Sequence, residues 1–330
     1  MNKATVWTHS QFQPPALAVL DPIAHVVTSR PASLETWYKE VAAYAALIVG
    51  AAQVFDGPVL DRIGPRLRII ARTGIGVDCI DLDVATERGV LVLNTPDGPT
   101  ESTAEHAVAL MLNLTKQVAV SDRLLRSGAG FPPYGVLRPG LEVHDAVLGL
   151  AGLGRIGGRV AEIARVLGMR VLAYDPFVAP DRAAALGVQL VASLAELLPQ
   201  ADVLSIHCPA TPETHHLMNA DTLAMMKPGS YLVNVSRGAL IDETALVAAL
   251  ESGHLAGAGI DVFDPEPPVA QHPLFALPNA ICTSHIGSYT SAGVVRMQVQ
   301  ACEQVAMALR GERPTHLVNP DVWERYRSGA

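Results

Sequence analysis

Residues that can move protons and bind anions follow apolar runs in the second half of the chain. Arg237 follows the run YLVNVS, Glu266 lies in DPEPP, and His285 follows AICTS. Histidine can give and take a proton near neutral pH, and arginine offers a permanently charged planar fork for a carboxylate. Each of the three, taken alone, is also compatible with an ordinary surface or loop residue. Their interpretation therefore depends on the elements around them.

A glycine-rich stretch supplies a second chemical signal. Gly152, Gly154 and Gly157 form the pattern GLGRIG between an apolar run and a helical pattern. Glycines allow the backbone to approach a pyrophosphate closely, and the helix that follows directs free N–H groups at the anion. The next apolar run ends at Asp175, about 20 residues further on, where a carboxylate can bind a ribose diol. Glycines also serve ordinary turns, but this combination predicts a dinucleotide site.

The elements that position these residues alternate along the chain. Short β-branched runs are separated by longer helical patterns, which is typical of parallel sheets covered by helices on both faces. One series of runs precedes the glycine motif and a second begins with it, so we predict an α/β chain with two parallel sheets. Long helices are predicted over 101–127 and 292–309, and a turn-rich connection over 128–140. The predicted strands are 4–8, 25–28, 47–50, 68–72, 90–94, 147–151, 170–173, 188–191, 203–207, 231–235, 257–262 and 280–283.

Composition limits the classes of protein that this chain can represent. Its 330 residues favour two domains, and a net charge of −8 argues against a nucleic-acid or anionic membrane partner. Without a continuous apolar leader or spanning segment, a soluble cytoplasmic protein is expected. The cysteines lie far apart without CxxC spacing, which favours reduced thiols over disulfides or zinc. No metal site is predicted, since the histidines of 207–216 have no metal-type spacing with a carboxylate.

Further motifs occur in a fixed order along the chain. They are ARTGIGVDCID (71–81), TESTAEHAVALML (100–112), HCPATPETHH (207–216), VNVSRGALID (233–242), AGAGIDVFDPEPP (256–268) and CTSHIGSYT (282–290). Together with the glycine motif they resemble the D-isomer-specific 2-hydroxyacid dehydrogenases over essentially the whole chain. Several ordered motifs are far more specific than any one of them.

The resemblance implies an architecture and an activity. A Rossmann coenzyme domain, 99–292, would be inserted into a flavodoxin-like substrate domain made of 1–98 and 293–330. The chain would transfer a hydride between NAD(H) and a small D-2-hydroxy acid or 2-oxo acid of the glyoxylate, hydroxypyruvate or 3-phosphoglycerate type. The resemblance also implies a homodimer, with the helix 101–127 at the contact.

Site residues are carried over onto matching positions. Arg237, Glu266 and His285 would form the catalytic set, with Glu266 orienting the imidazole. Substrate would meet Arg72, Ile75, Gly76 and Arg237, although TGIG can also be a plain turn and Arg72 a paired structural arginine. The coenzyme would meet Thr103, Gly152, Gly154, Arg155, Ile156, Gly157, Asp175, Pro209, Thr214, Val235 and Asp261.

An alternative of a different class is an NAD(H)-sensing binding protein, like the corepressors that resemble these enzymes. Such proteins recruit partners through a peptide groove, and turnover of NADH with a 2-oxo acid would distinguish the two. A phosphite-type substrate is a third hypothesis, disfavoured because relatives of that kind carry a lysine in the segment that reads TGIG here.

Overall fold

The structure is a computed structural model that describes residues 3–128, 131 and 138–328. The chain forms two compact units: Met1–Pro99 with Ser288–Ala330, and Thr100–Gly287. Each unit contains one sheet, and every strand pairing within both sheets is parallel. The predicted α/β class with two parallel sheets is therefore confirmed.

The first unit begins with a five-stranded sheet in the order β2-β1-β3-β4-β5, which is the flavodoxin-like order. Two of its strands, 46–49 and 91–93, are buried along their whole length because helices cover both sides of the sheet. The elements are β1 (Ala4–Thr8), α1 (Pro14–Leu20), β2 (Ala24–Thr28), α2 (Leu34–Val41), β3 (Ala46–Val49), α3 (Gly57–Ile63), β4 (Ile69–Arg72), α4 (Leu82–Glu87) and β5 (Leu91–Leu93).

The second unit contains a seven-stranded sheet in the order β12-β11-β10-β9-β6-β7-β8. The strand order reverses between β6 and β9, and in doubly wound sheets the ligand crevice opens at that switch point. The elements are α5 (Thr100–Lys116), α6 (Val118–Arg126), β6 (Val147–Ala151), α7 (Arg155–Val166), β7 (Arg170–Tyr174), α8 (Pro180–Ala185), β8 (Gln189–Leu190), α9 (Leu194–Leu197), β9 (Val203–Ile206), α10 (Ala220–Met225), β10 (Ser230–Asn234), α11 (Glu243–Glu251), β11 (Leu255–Ile260), α12 (Pro273–Ala276) and β12 (Ala280–Cys282).

Two further helices, α13 (Ser291–Leu309) and α14 (Trp323–Ser328), return to the first unit. Cys302 and Val305 of α13 are fully buried in the same apolar cluster as Ile48 of β3. The opposite face of that sheet forms a second cluster, which includes Trp7 and Leu47. Alternate residues of β3 thus enter opposite layers, as the two-residue period of a strand requires.

The single helix predicted over 101–127 is wrong, because the structure divides it at Gln117. Gln117 has φ of +56°, a left-handed conformation that ends α5. The hydroxyl of Thr115 bonds back to the Met111 carbonyl at 2.9 Å, an interaction that bends helices. The Asn113 side chain accepts the N–H of Ala119 at 2.8 Å and so satisfies a donor of the new helix. The apolar pattern continues through the break, which is why it predicted one helix.

The cysteines bear out the prediction of reduced thiols: Cys79, Cys208, Cys282 and Cys302 are all free. Burial raises the pKa of the Cys302 thiol to about 12, so it is protonated at neutral pH. Within the part of the chain that the structure describes, no helix has the length and apolarity needed to cross a membrane. The predicted connection 128–140 lies largely outside the described residues.

Candidate active site

The glycine motif connects β6 to α7 in the second unit. Gly152 has φ of +102°, and a Cβ on it would lie 2.8 Å from the backbone of His207. A Cβ on Gly157 would lie 2.3 Å from the Gly152 carbonyl oxygen, so both positions require glycine. Around a Cβ on Gly154, by contrast, no described heavy atom lies within 4 Å. The backbone is therefore open at Gly154, where α7 begins, and this cradle fits a diphosphate.

Asp175 follows β7 and lies against the same loop. Its Oδ2 accepts the N–H of Leu153 at 2.7 Å, and its Oδ1 accepts the N–H of Phe177 at 2.9 Å. Each carboxylate oxygen has a second lone pair, so the group retains acceptor capacity for ribose hydroxyls. The residues that follow, Pro176, Phe177 and Val178, carry no positive charge that could neutralise a 2′-phosphate.

The remaining residues assigned to the coenzyme lie in the same unit. Arg155 and Ile156 begin α7, and Thr103 is buried in the first turns of α5. The hydroxyl of Thr214 donates to the Pro209 carbonyl at 2.8 Å and closes the turn after β9. Val235, which follows β10, is buried in the apolar cluster beneath the sheet.

Arg237 is held by a turn at the end of β10. The fully buried Asn234 donates its amide to the Arg237 carbonyl at 2.8 Å and accepts the N–H of Ser236 at 3.0 Å. The hydroxyl of Ser236 donates to the Ile206 carbonyl at 2.9 Å and connects the turn to β9. The sequence motif pointed to Arg237, but Asn234 was missed because asparagine at a strand end usually indicates only a turn.

Gly238 brings the arginine turn into backbone contact with the loop that carries Glu266. A Cβ at position 238 would lie 2.0 Å from the Phe263 carbonyl carbon and 2.5 Å from the nitrogen of Asp264. No side chain fits such a separation. The two segments are therefore packed backbone against backbone.

Glu266 and His285 form a hydrogen-bonded pair. Glu266 Oε2 lies 2.8 Å from His285 Nδ1, and Glu266 Oε1 accepts the N–H of Phe263 at 3.0 Å. Burial raises the pKa of Glu266, but the bond and charge of His285, the Phe263 N–H and the charge of Arg237 outweigh burial and hold that pKa below its ordinary value. Glu266 is thus a carboxylate at neutral pH, and His285 keeps Nε2 for another partner.

His285 occupies a strained corner built around Asp261. Its φ is +54°, in the left-handed region, and its N–H donates to the Asp261 carbonyl at 2.7 Å. The buried Asp261 carboxylate accepts the N–H groups of Ile286 and Gly287, both at 2.9 Å, and the hydroxyl of Thr283 at 2.6 Å. These bonds define the direction of the imidazole through the backbone on either side of it.

Asp261 carries its charge in spite of burial. Burial raises the pKa of Asp261, but the hydrogen bonds that it accepts outweigh burial and hold the pKa below its usual value. His106 Nε2 contributes to this group, 3.3 Å from Asp261 Oδ1 and 3.1 Å from Thr283 Oγ1. The sequence motif predicts Asp261 as a coenzyme residue but does not indicate its partners His106 and Thr283. His106 belongs to a motif, but nothing local connects it to a residue more than 150 positions away.

The residues assigned to the substrate, other than Arg237, lie in the first unit. Arg72 ends β4 and precedes the turn with Ile75 and Gly76. The N–H of Gly74 donates to Thr95 Oγ1 at 2.7 Å, and the Ile75 carbonyl accepts the Asn94 amide at 2.8 Å. The N–H of Gly74 is thus already hydrogen-bonded within the first unit. An anion nest at this turn would therefore use the N–H groups of Ile75 and Gly76.

A doubly wound parallel sheet with a glycine cradle at its switch point is typical of dinucleotide-binding domains, and this one also carries the Glu266–His285 pair. The family model for the NAD binding domain of D-isomer specific 2-hydroxyacid dehydrogenases matches residues 108–287, and this chain belongs to that family. NAD is accordingly its coenzyme, as the sequence predicts.

Individual relatives extend the match beyond residues 108–287. D-3-phosphoglycerate dehydrogenase of Mycobacterium leprae is 44% identical over 280 residues, covering 84% of this chain and 51% of the relative. The chain thus spans about half the length of the curated relatives it matches. A glyoxylate reductase structure from Paecilomyes thermophila is 28% identical with a TM-score of 0.85, covering 97% of this chain and 99% of that one. A Thermus thermophilus protein structure is 39% identical with a TM-score of 0.85, covering 95% and 99%.

Proposed function

We propose that this chain is an NAD-dependent dehydrogenase that interconverts a small D-2-hydroxy acid and its 2-oxo acid. The observation that carries the proposal is the 2.8 Å contact between His285 Nδ1 and Glu266 Oε2, beside the turn of Arg237. That pair is suited to proton transfer to a keto oxygen, and an adjacent guanidinium is suited to a carboxylate. The names of the relatives, which are dehydrogenases and reductases, favour an enzyme over an NAD(H)-sensing binding protein.

The proposed chemistry divides among three side chains. The NADH coenzyme, when bound, supplies the hydride. Arg237 holds the substrate carboxylate and polarises the keto oxygen, since its planar fork can donate to two oxygens at once. His285 delivers a proton from Nε2 to that oxygen, and Glu266 favours the protonated imidazole through Nδ1. In the reverse direction His285 removes the proton from the hydroxyl.

The other assigned residues would bind rather than react. We propose that the glycine cradle, with Arg155 and Ile156, holds the pyrophosphate, and that Asp175 binds the adenosine ribose. Substrate would also meet Arg72, Ile75 and Gly76. The ribose and nicotinamide would meet Thr103, Pro209, Thr214, Val235 and Asp261.

We further propose that 99–292 is the coenzyme domain and that 1–98 with 293–330 is the substrate domain, in line with the two compact units. A cytoplasmic homodimer is part of the proposal. It is supported by α6, which is fully described, buries none of its residues and exposes Val118 and Leu125. Val118 and Leu125 lie two turns apart on the same face of α6, where a partner helix would cover them.

A substrate panel tests the proposed activity. Glyoxylate, hydroxypyruvate, pyruvate and 3-phosphohydroxypyruvate are each mixed with NADH, and oxidation is followed by loss of nicotinamide absorbance. We expect turnover of at least one of these 2-oxo acids. NADH binding without turnover of any of them would contradict the proposed enzyme and favour the binding protein.

Coenzyme choice is a separate expected result. NADH should be preferred over NADPH by about tenfold or more in kcat/KM, because a 2′-phosphate would meet the like charge of Asp175, and 1.4 kcal/mol corresponds to a factor of ten. Asp175→Ala should shrink that ratio by weakening NADH binding and removing the repulsion. Asp181→Ala, at an exposed acid on α8, is the matched control. A ratio unchanged by Asp175→Ala would show that another residue recognises the ribose.

A further inference from the structure

Another histidine–carboxylate pair, His272 with Glu243, lies next to the loop that carries Glu266. His272 Nε2 and Glu243 Oε2 are 2.6 Å apart, and both side chains are largely buried, with 11% and 21% of their surface exposed. Neither residue is part of the proposed catalytic set. A close pair at this depth is held in one geometry, unlike the exposed ion pairs of the surface.

Each residue of the pair lies at the start of a helix. Glu243 is the first residue of α11, and its Oε1 accepts the N–H of Asp264 at 3.3 Å. His272 precedes α12, and its Nδ1 accepts the N–H of Leu274 at 3.4 Å. An accepting Nδ1 leaves the ring proton on Nε2, which therefore donates to Glu243. The pair thus connects both helices to the backbone at Asp264.

The same pair contacts the residue on which Glu266 depends. The His272 ring packs edge-on against Phe263, with centroids 5.4 Å apart, and Phe275 packs against both rings, 5.6 Å from Phe263 and 5.2 Å from His272. The N–H of Phe263 is the donor that binds Glu266 Oε1. Glu243 and His272 therefore hold the two loop residues that precede Pro265. Glu243 binds the N–H of Asp264, and His272 packs against Phe263.

We infer that Glu243 and His272 are positioning residues for the proposed proton transfer: they hold the 263–266 loop so that Glu266 Oε2 meets His285 Nδ1. Without them the backbone N–H groups at 263 and 264 lose their fixed direction, and the carboxylate of Glu266 moves relative to the imidazole. Displacements of about 1 Å at reacting groups lower rates up to about 100-fold. This inference rests on the proposed function for its kinetic consequence, but the geometry itself can be measured without turnover.

The test uses variants that separate positioning from folding. Glu243→Ala removes both bonds, whereas Glu243→Gln retains one acceptor oxygen. His272→Asn keeps a side chain that can cap α12 and removes the contacts to Glu243 and Phe263. Glu251→Gln changes an exposed carboxylate at the other end of α11 and serves as the control. Glu266→Gln provides the reference for a lost carboxylate.

Two readouts are compared in the full chain. In the presence of NADH and an active 2-oxo acid, Glu243→Ala and His272→Asn should lower kcat about 10-fold. Glu243→Gln should restore part of this loss. In all three variants the affinity for NADH should stay within about twofold of that of the wild type. The basic limb of the kcat–pH profile should move in the direction in which Glu266→Gln moves it, because in both variants the imidazole loses its carboxylate contact at Nδ1. Without substrate, ¹⁵N NMR signals of His285, assigned with His285→Gln, should shift toward those of Glu266→Gln.

Wild-type pH profiles and His285 signals in both Glu243→Ala and His272→Asn would overturn the inference. Lower kcat with an unmoved pH limb and unmoved His285 signals would also overturn it, since that result indicates general destabilisation. If Glu243→Ala does not fold, Glu243→Gln and His272→Asn decide. A wild-type chain that turns over no 2-oxo acid would refute the proposed function, while the NMR comparison would still decide whether the pair positions Glu266.

Discussion

His285→Ala should lower kcat for 2-oxo acid reduction by about 100-fold or more, the usual contribution of a positioned general acid. The imidazole is directed by Glu266 at Nδ1 and by the Asp261 corner through the backbone, and alanine removes the Nε2 that this geometry presents. The alanine variant keeps the glycine cradle and Asp175, and NADH affinity should therefore change little. Steady-state kinetics and fluorescence titration with NADH measure the two quantities.

A suitable control is His144→Ala, because His144 Nδ1 also contacts a carboxylate, Asp145, at 3.1 Å, but at an exposed position. Its kcat should remain near that of the wild type. Near-normal kcat in His285→Ala would refute the assignment of the proton donor, and loss of activity in both variants would indicate a nonspecific effect of removing a histidine.

The second large effect is expected at Arg237. Arg237→Lys preserves the charge but replaces a planar fork with a single ammonium, so kcat/KM should fall by about 100-fold or more, as when a donor to the reacting oxygen is lost. Asn234 holds the turn through the carbonyl of residue 237, which lysine also has, so the fold should be unaffected. Comparison of kcat/KM with the unfolding temperature separates the two effects.

Arg165→Lys, at an arginine that donates to the Leu186 carbonyl on the surface of the same unit, provides the matched control. We expect it to retain wild-type kcat/KM. Retention of wild-type kcat/KM by Arg237→Lys itself would mean that a different cation binds the substrate carboxylate.

The central strands were predictable from the sequence because they are covered on both faces. A run such as VLGLA at Val147–Ala151 is buried along its whole length, so its apolar residues are continuous, and glycine marks where it ends. The break at Gln117 was not predictable in this way, since the apolar residues of α5 and α6 continue one pattern while the break depends on side-chain bonds from Asn113 and Thr115.

The candidate site was predictable only where a motif carries its chemistry within a few residues. The bond between Glu266 and His285 agrees with the expectation that Glu266 orients the imidazole, but the roles of both stay predictions. The groups that support them are distant in sequence and of ordinary types. The sequence indicates only an acidic residue in a first helical turn at Glu243 and a loop histidine at His272. The tertiary fold places these two side chains 2.6 Å apart.

The backbone contact at Gly238 restricts how this chain can diversify. A Cβ there would lie 2.0 Å from the Phe263 carbonyl carbon. Any other residue at 238 would therefore separate the segment that carries Arg237 from the segment that carries Glu266. Neither segment can be remodelled alone, and insertions or deletions in one would have to be matched by the other. New substrate preferences in a lineage that keeps this contact would therefore arise from side chains elsewhere around the substrate, on surfaces that can vary one residue at a time, while the spacing of the guanidinium and the carboxylate is inherited as a unit.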